Sequence, residues 1–295
     1  MKKIQSVRGM KDVLPSECKI YSGLENLISS SASQFGYREI RTPILEDSEL
    51  FIKTIGDGTD IIEKEMYTFV DSKKNSYSMR PEGTASCARA IIQGGLINTI
   101  NKIWYCGPFF RHERPQKGRY RQFHQFGAEY IGVEGFEADV EIVLLADFIW
   151  RKLEIKPRLK VNTIGNHEER KKYIAKLQDY FSKYRDIFSE DEKIKIEKNP
   201  LRILDSKNQN IMDLLKECPK INDYVSKDSR NHFEKFLKGL DKNNICFEKD
   251  DNLVRGLDYY NRTVFEYLDN SENSQNTICA GGRYDYLFEN MFNKK

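Results

Sequence analysis

Two neighbouring segments of this 295-residue chain carry residue types that bind anions. Residues 109–113 read FFRHE, and residues 122–129 read QFHQFGAE. Between them, residues 111–121 hold five Arg or Lys against one Glu. Two strands joined by such a loop can present guanidinium groups to phosphates at the strand ends. We therefore predict a hairpin that binds a polyanionic ligand or a nucleic acid.

The second strand of this hairpin predicts a ligand-binding face. Side chains alternate between the two faces of a strand, so Phe123, Gln125, Gly127 and Glu129 share one side. That side offers a ring for stacking, an amide, a gap where glycine leaves room, and a carboxylate. The opposite side begins with His124 and should face the core, where we expect a buried, hydrogen-bonded histidine.

The amino-acid sequence of the hairpin resembles motif 2 of the class II aminoacyl-tRNA synthetases. In full, FRHERPQKGRYRQFHQ at residues 110–125 is similar to the motif in bacterial histidyl-tRNA synthetases. Four further segments resemble the same family: RGMKDVLP at 8–15, EKEMYTF to RPEGT at 63–84, LVRGLDYYNRTVFE at 253–266, and AGGRYD at 280–285. The resemblance therefore extends over nearly the whole chain.

The resemblance implies a histidine–tRNA ligase, which uses ATP with Mg²⁺ to activate L-histidine and transfers it to histidine tRNA. Activation brings two anions together, the amino-acid carboxylate and the α-phosphate, so positive charge must offset their repulsion. We expect Arg111 to hold both anions, Glu113 to face the adenine amino group and Phe123 to stack on the base. By resemblance, Arg255 contacts the α-phosphate from the opposite side, where other class II enzymes place a metal.

The resemblance also implies a pocket for histidine. A site that hydrogen-bonds both imidazole nitrogens strongly rejects amino acids that lack them, because its own buried groups would be left unpaired. The family places Glu82, Thr84 and Gln125 at the ammonium group, and Glu129 and Tyr260 at the imidazole ring. Gly83, Tyr259 and Tyr284 line the rest of the pocket.

Two parts of this pocket also have a simpler structural interpretation. Residues 80–84 read RPEGT and can form a turn whose Thr84 caps the helix predicted at 85–96. This segment can cap the helix and bind the amino acid at the same time. Gly281 and Gly282 alone indicate only a tight bend, here predicted between a strand and a helix.

The basic loop predicts contacts to tRNA. By resemblance, Gln116 reads the acceptor end, and Arg114, Arg119 and Arg121 contact the same nucleic acid. The net charge of +3 for the whole chain argues neither for nor against such a partner. Only the local charge is informative.

The elements around the hairpin predict an α+β fold. Residues 16–34 have helical periodicity, with Ser16 as N-cap and Gly36 as a stop. Residues 37–45 alternate as a strand, and Pro43 indicates a sheet edge. This helix and strand resemble motif 1 of class II synthetases, which implies a homodimer; a simple edge strand is the alternative.

Further strands are predicted at 66–71, 76–80, 102–111, 122–133 and 158–164, and a buried helix at 138–153. Their short connections favour a mainly antiparallel sheet flanked by helices, as in class II synthetases. Residues 166–250 change to charged amphipathic segments and predict a helical insertion domain, which in the family faces the tRNA acceptor arm. His167 and His232 should lie on its surface. The predicted division is 1–165 and 251–295 for the catalytic core and 166–250 for the insertion.

Composition limits the remaining possibilities. The six cysteines form no C-x-x-C pair and no close cluster with the four histidines, which disfavours a zinc site or a disulfide framework. No segment has the pattern of a signal peptide or the length of a membrane span. We therefore expect a cytoplasmic protein with reduced thiols, no metal cluster and no membrane partner.

The resemblance departs from the family pattern after Asp285. Motif 3 and the anticodon-binding domain are not found in the residues that follow, so we expect an incomplete catalytic domain. One alternative is the regulatory paralogue of ATP phosphoribosyltransferase, which should have lost Arg111, Glu82 or Arg255; all three are present. A noncatalytic fragment that binds a partner is the other alternative, and the sequence leaves it open.

Overall fold

The computed structural model describes residues 4–56, 58–115, 118–206, 208–270 and 277–292. These residues form two compact units with an α+β composition. The first unit comprises residues 1–134, 142–155 and 287–295, and the second comprises residues 135–141 and 156–286. The three-part division predicted from the sequence stays a prediction. None of the helices in the described ranges is long and apolar enough to cross a membrane.

Helices and strands follow one another along the chain in this order. The N-terminal half contains α1 Pro15–Gln34, β1 Arg38–Glu39, β2 Leu45–Asp47, α2 Ser48–Ile55, a π-helical turn Ile61–Glu65, β3 Thr68–Val70, β4 Ser76–Met79, α3 Thr84–Gln93, β5 Asn101–Phe110, β6 Gln122–Ile131 and α4 Phe136–Lys152. The remainder contains β7 Arg158–Thr163, α5 His167–Ser182, α6 Glu190–Lys198, α7 Gln209–Lys216, α8 Lys227–Lys242, β8 Glu248–Lys249, β9 Asn261–Leu268, β10 Thr277–Arg283 and α9 Leu287–Phe292, with 3₁₀ turns at Arg185–Ile187, Pro200–Ile203 and Ile221–Asp223.

The first helix is confirmed, but its N-cap is not. Helix α1 begins at Pro15, with Leu14 as N-cap in place of Ser16. Proline suits the first helical position because the N–H it lacks would have no partner within the helix. The carboxylate of Glu17 accepts a hydrogen bond from the Leu14 amide at 3.3 Å. Beyond the helix end, Gly36 adopts a φ of +79°, which explains a glycine at this stop.

The prediction of a single strand at residues 37–45 is wrong. The chain instead forms two short strands on either side of Pro43, which belong to different sheets. Strand β1 lies parallel to β5 at the edge of the β1-β5-β6 sheet, whereas β2 pairs antiparallel with β4. Proline has no N–H for a ladder, so the chain leaves one sheet there and enters another. The predicted edge position holds for β1.

The predicted hairpin is confirmed as β5 and β6, an antiparallel pair in which Tyr105 lies opposite Gly127. One face packs on α1 and α4 around Trp104, Phe126 and Leu145. His124 shares that face but is exposed, so its predicted burial is wrong. The apolar cluster on that face includes Phe126 but not His124, whose ring contacts only the edge of Tyr21 at 5.3 Å among the described rings.

The second unit contains the sheet β10-β9-β7-β8 and the helices α5 to α8. Residues of α5 and α7 share an apolar core that includes Tyr173, Leu177 and Ile211. The predicted surface position of His232 is wrong: the residue is 8% exposed, and its Nε2 lies 2.8 Å from an oxygen of Asp139. His232 precedes Phe233 on α8 and belongs to the buried side of this helix.

Candidate active site

The loop RPEGT places Glu82 at the N-terminus of α3. Glu82 is 3% exposed, and its carboxylate accepts hydrogen bonds from the backbone amides of Thr84 at 2.7 Å and Ala85 at 2.9 Å. Thr84 is the first helical residue and Gly83 the N-cap, so the cap predicted at Thr84 is supplied by Glu82 instead. Burial raises the pKa of the Glu82 carboxyl, and its bonds to the two amides partly offset this shift.

Glu129 brings the second carboxylate to the same region. It lies on β6, is 5% exposed, and shares the hairpin face with Gln125, as the alternation predicted. Its Oε1 accepts hydrogen bonds from the hydroxyl of Thr84 at 2.8 Å and the hydroxyl of Tyr105 at 3.2 Å. Three residues predicted to bind histidine, Glu82, Thr84 and Glu129, are therefore neighbours in the first unit.

Tyr105 is a site residue that the sequence interpretation missed. A Cβ atom added to Gly83 or to Gly127 would lie 2.2 Å from Cζ of Tyr105, so the ring fills the space that both glycines leave. The gap at Gly127 is thus occupied by a tyrosine, contrary to the prediction that it leaves room for a ligand. Burial and the Glu129 carboxylate raise the pKa of the Tyr105 hydroxyl well above its usual value, which keeps it a proton donor.

Arg111 lies where β5 ends, beside the loop that carries Glu82. Its Nε donates a hydrogen bond to the carbonyl oxygen of Pro81 at 2.8 Å. Its Cζ lies 5.3 Å from the centroid of the Phe123 ring, a cation–π distance. Glu113 approaches the same guanidinium with Oε1 at 3.9 Å from Nη1. The three residues predicted for ATP in the first unit are therefore together.

Two arginines of the basic loop form hydrogen bonds or ion pairs with other residues of the first unit. The guanidinium of Arg119 lies 2.7 Å from Oε2 of Glu113. Arg121 donates from its backbone amide to the carbonyl oxygen of Gly9 at 2.7 Å and from its Nε to the carbonyl oxygen of Glu113 at 3.2 Å. Arg114 is exposed. Gln116, predicted to read the acceptor end, lies outside the described residues.

Arg255 belongs to the second unit, in the loop before β9. Its side chain is partly buried, and its Nη1 lies 3.5 Å from Oε1 of Glu266. Its Nε is buried and has no hydrogen-bond acceptor among the residues that the structure describes. A buried donor of this kind suits an anionic ligand oxygen, since an unpaired buried N–H is costly.

The three predicted pocket tyrosines also lie together in the second unit. The ring centroids of Tyr259 and Tyr260 are 4.7 Å apart, and those of Tyr259 and Tyr284 are 6.0 Å apart. Gly282 lies inside β10 rather than in the predicted turn. A Cβ atom there would come within 2.9 Å of the Tyr260 ring and 2.7 Å of the Thr263 carbonyl oxygen, so close packing requires this glycine.

The predicted site residues thus form two groups, one in each unit. In neither group do the described residues include three or more His, Cys, Asp or Glu placed to hold a metal ion. The first group offers buried carboxylates and a guanidinium, which suit an ammonium or imidazole donor and an anion. The second offers hydroxyl groups, aromatic rings and a further guanidinium.

Comparison with known proteins identifies the family. A family profile described as histidyl-tRNA synthetase matches residues 9–166. The histidine–tRNA ligase of Thiobacillus denitrificans is 49% identical over 293 residues, which are 99% of this chain and 70% of that protein. The chain belongs to the histidyl-tRNA synthetase family. The resemblance inferred from the sequence motifs is confirmed.

Solved structures agree with this assignment. The apo histidyl-tRNA synthetase of S. aureus has a TM-score of 0.77 and 34% identity, with 98% of this chain and 68% of that chain covered. A Bacillus halodurans protein described as ATP phosphoribosyltransferase regulatory subunit/histidyl-tRNA synthetase has a TM-score of 0.70 and 21% identity, covering 98% of this chain and 78% of the other. This second likeness concerns the fold alone. The predicted α+β fold of the histidyl-tRNA synthetase type is confirmed.

Proposed function

We propose that the chain activates L-histidine with ATP, taken as its Mg²⁺ complex, and transfers the histidyl group to histidine tRNA. The observation that carries this proposal is the buried pair of carboxylates, Glu82 and Glu129, joined through Thr84. Histidine presents an ammonium group and an imidazole N–H, which are both hydrogen-bond donors that need acceptors. Family membership supports the same activity.

The ammonium group and the ring of the amino acid are bound by carboxylates and neutral polar groups in this proposal. Glu82, Thr84 and Gln125 hold the ammonium group, while Glu129 and Tyr260 hold the imidazole nitrogens. Tyr105 supports Glu129 through the hydroxyl contact at 3.2 Å and fixes the orientation of the carboxylate. Gly83, Tyr259 and Tyr284 complete the pocket.

ATP is bound chiefly by the end of the hairpin. Arg111 neutralises the α-phosphate and the histidine carboxylate, which lets the carboxylate oxygen attack phosphorus and displace pyrophosphate. Phe123 stacks on the adenine, and Glu113 accepts a hydrogen bond from the adenine amino group. When the adenine binds, the Glu113 carboxylate must then either release the guanidinium of Arg119 or accept from Arg119 and the adenine amino group together. Arg255 supplies a second positive charge for the α-phosphate, and its buried Nε is suited to a phosphate oxygen.

Transfer to tRNA involves the exposed positive charge of the hairpin loop. Arg114, Arg119 and Arg121 contact the acceptor end in this proposal, together with Gln116. Residues 166–250 act as the helical insertion that faces the acceptor arm. Filter binding of histidine tRNA at increasing salt tests this role: Arg114→Ala should reduce the salt dependence, because it removes one phosphate contact. An unchanged affinity and salt dependence would contradict it.

We also propose a cytoplasmic homodimer that uses the segment 37–45. Strand β1 lies at a sheet edge, and the neighbouring Ile44 and Leu45 are 43% and 49% exposed. Exposed apolar side chains next to an edge suit an interface between two copies. Sedimentation equilibrium at micromolar concentration should give twice the chain mass of 34.6 kDa. A single chain mass would contradict the dimer.

The direct test of the activity is pyrophosphate exchange. The purified 295-residue chain, supplied with Mg²⁺-ATP and labelled pyrophosphate, should form labelled ATP when L-histidine is added and not with L-phenylalanine, at a lower rate than a family member that carries motif 3. An Arg111→Ala variant with unchanged circular dichroism serves as the negative control. Exchange that does not depend on histidine, or no exchange at all, would overturn the proposed activation step.

A further inference from the structure

Arg170 of α5 binds the main chain of the loop that carries two of the pocket tyrosines. Its Nη1 donates a hydrogen bond to the carbonyl oxygen of Tyr260 at 2.6 Å, and its Nη2 donates to that of Asp258 at 2.8 Å. The two carbonyls flank Tyr259. One guanidinium therefore fixes the backbone on both sides of that tyrosine.

This contact depends on the shape of arginine. The planar guanidinium presents two parallel N–H groups, whereas a lysine ammonium is a single point of attachment. Burial lowers the pKa of the Arg170 guanidinium, and the negative charge of Asp258 opposes that shift. Asn199 adds a third tie, since its side-chain amide donates to Oδ1 of Asp258 at 3.2 Å. Arg170 and Asn199 of the second unit thus anchor this loop through both its main chain and a side chain.

The loop needs an anchor because it has no regular structure of its own. Residues 253–260 lie before β9, and Gly256 within them has open space at its Cβ position. The ring contacts of Tyr259 with Tyr260 and Tyr284 position side chains but do not restrain the backbone dihedrals. Binding groups held by such a loop lose geometry quickly when their support is removed.

We propose that Arg170 is a positioning residue for amino-acid recognition. It holds the carbonyls of Asp258 and Tyr260 so that the Tyr260 hydroxyl and the Tyr259 ring are placed for the imidazole. This inference rests on the proposed function, because it takes histidine as the ligand of the loop. Arg170 acts through the loop and does not itself touch the substrate.

The experiment compares Arg170→Met and Arg170→Lys with Tyr173→Phe. Tyr173 lies one turn further along α5, and its hydroxyl donates to the carbonyl oxygen of Pro219 at 2.9 Å. The control thus removes a buried hydrogen bond from the same helix and leaves both carbonyl contacts of Arg170 in place. The first readout, without any ligand, is amide hydrogen exchange in peptides covering 253–262, where the amides of Leu253 and Arg262 are hydrogen-bonded. The second is the calorimetric dissociation constant for L-histidine.

Arg170→Met should raise exchange in this segment about tenfold and weaken histidine binding roughly 10- to 100-fold, as loss of a charged hydrogen-bonding group does. Arg170→Lys should fall between Met and wild type, and Tyr173→Phe should match wild type in both readouts. If the Met variant does not fold, the Lys variant decides. Wild-type exchange in the folded Arg170 variant, or an equal effect of Tyr173→Phe, would overturn the proposal. Wild-type protein that fails to bind histidine refutes the proposed function, while the exchange data still decide the anchoring.

Discussion

The hydroxyl of Thr84 donates a 2.8 Å hydrogen bond to Oε1 of Glu129, across 45 positions of sequence. This bond joins the N-terminus of α3 to the last part of β6. It links the loop that carries Glu82 to the face of the hairpin, so the two buried carboxylates are held by one residue. Tyr105 donates to the same oxygen of Glu129. The orientation of that carboxylate is therefore set before any ligand arrives.

Replacing Tyr105 by Phe should weaken L-histidine binding about tenfold or more, because Glu129 loses a hydrogen bond that orients its carboxylate. Calorimetry of the folded variant provides the measurement. Tyr180→Phe is the matched control, since its hydroxyl donates to the Leu214 carbonyl oxygen at 2.9 Å in the second unit. Equal affinities for the Tyr105 variant and the wild type would show that this hydroxyl does not support the site.

Alanine at Gly127 should destabilise the fold by about 1–3 kcal/mol, because its Cβ would overlap the Tyr105 ring. Urea denaturation monitored by circular dichroism measures the change in the free energy of unfolding. Gly23→Ala in α1 is the control: its Cβ would meet nothing within 4 Å, and alanine favours a helix by about 0.5–1 kcal/mol. A Gly127 variant as stable as the wild type would contradict the packing described for Tyr105.

The hairpin shows what the sequence does predict. Period-two alternation correctly placed Phe123, Gln125 and Glu129 on one face, because a strand within a packed sheet leaves each side chain only one of two directions. The buried helix α4 followed from a different pattern, a segment whose residues are apolar on most sides of a helix. Strand bounds at both ends of the hairpin were right to within two residues.

What the sequence missed depends on contacts between distant segments. Tyr105 fills the space at Gly127 only because the register sets the two residues opposite each other, and the register is not written in either strand alone. Arg170 binds carbonyls about 90 positions away, and no local pattern indicates such a partner. His232 was misplaced for the same reason, since Asp139 lies on a different helix.

Arg111→Lys should reduce histidine-dependent pyrophosphate exchange by roughly 10² to 10³ while the protein stays folded. Lysine keeps the charge but loses the fork that donates to the Pro81 carbonyl and to an anion at once. Arg151→Lys is the control, because Arg151 is 64% exposed and pairs with Asp147 on the surface of α4. An Arg111 variant with wild-type exchange would remove this residue from the proposed mechanism.

Glu65→Gln should change the pH dependence of stability. Burial, and then the charge of Glu113, raise the pKa of the Glu65 carboxyl above its ordinary value of 4.5. The folded protein therefore holds this proton more tightly than the unfolded chain, and stability is lost as pH rises from that value through the folded pKa. Glutamine resembles the protonated form, so the Tm of the variant relative to that of the wild type should rise as the pH is increased above about 4.5.

The corresponding control is Glu25→Gln, which removes a charge from an exposed position of α1. Thermal unfolding at several pH values should show a growing difference for Glu65→Gln alone. A constant or shrinking difference from low to high pH would mean that the Glu65 carboxyl is not disfavoured as an anion.

The central claim is that the buried carboxylates and pocket tyrosines select histidine. Calorimetric titration of the 295-residue chain with L-histidine and, separately, with L-phenylalanine tests it most directly. Phenylalanine has a similar size but lacks the ring nitrogens, so it can form none of the hydrogen bonds proposed for the imidazole; sites that hydrogen-bond a substrate in this way discriminate by about 10⁴ to 10⁵. We expect a saturable heat signal with histidine and none with phenylalanine at the same concentrations. Equal affinity for the two amino acids, or no binding of histidine, would contradict the account.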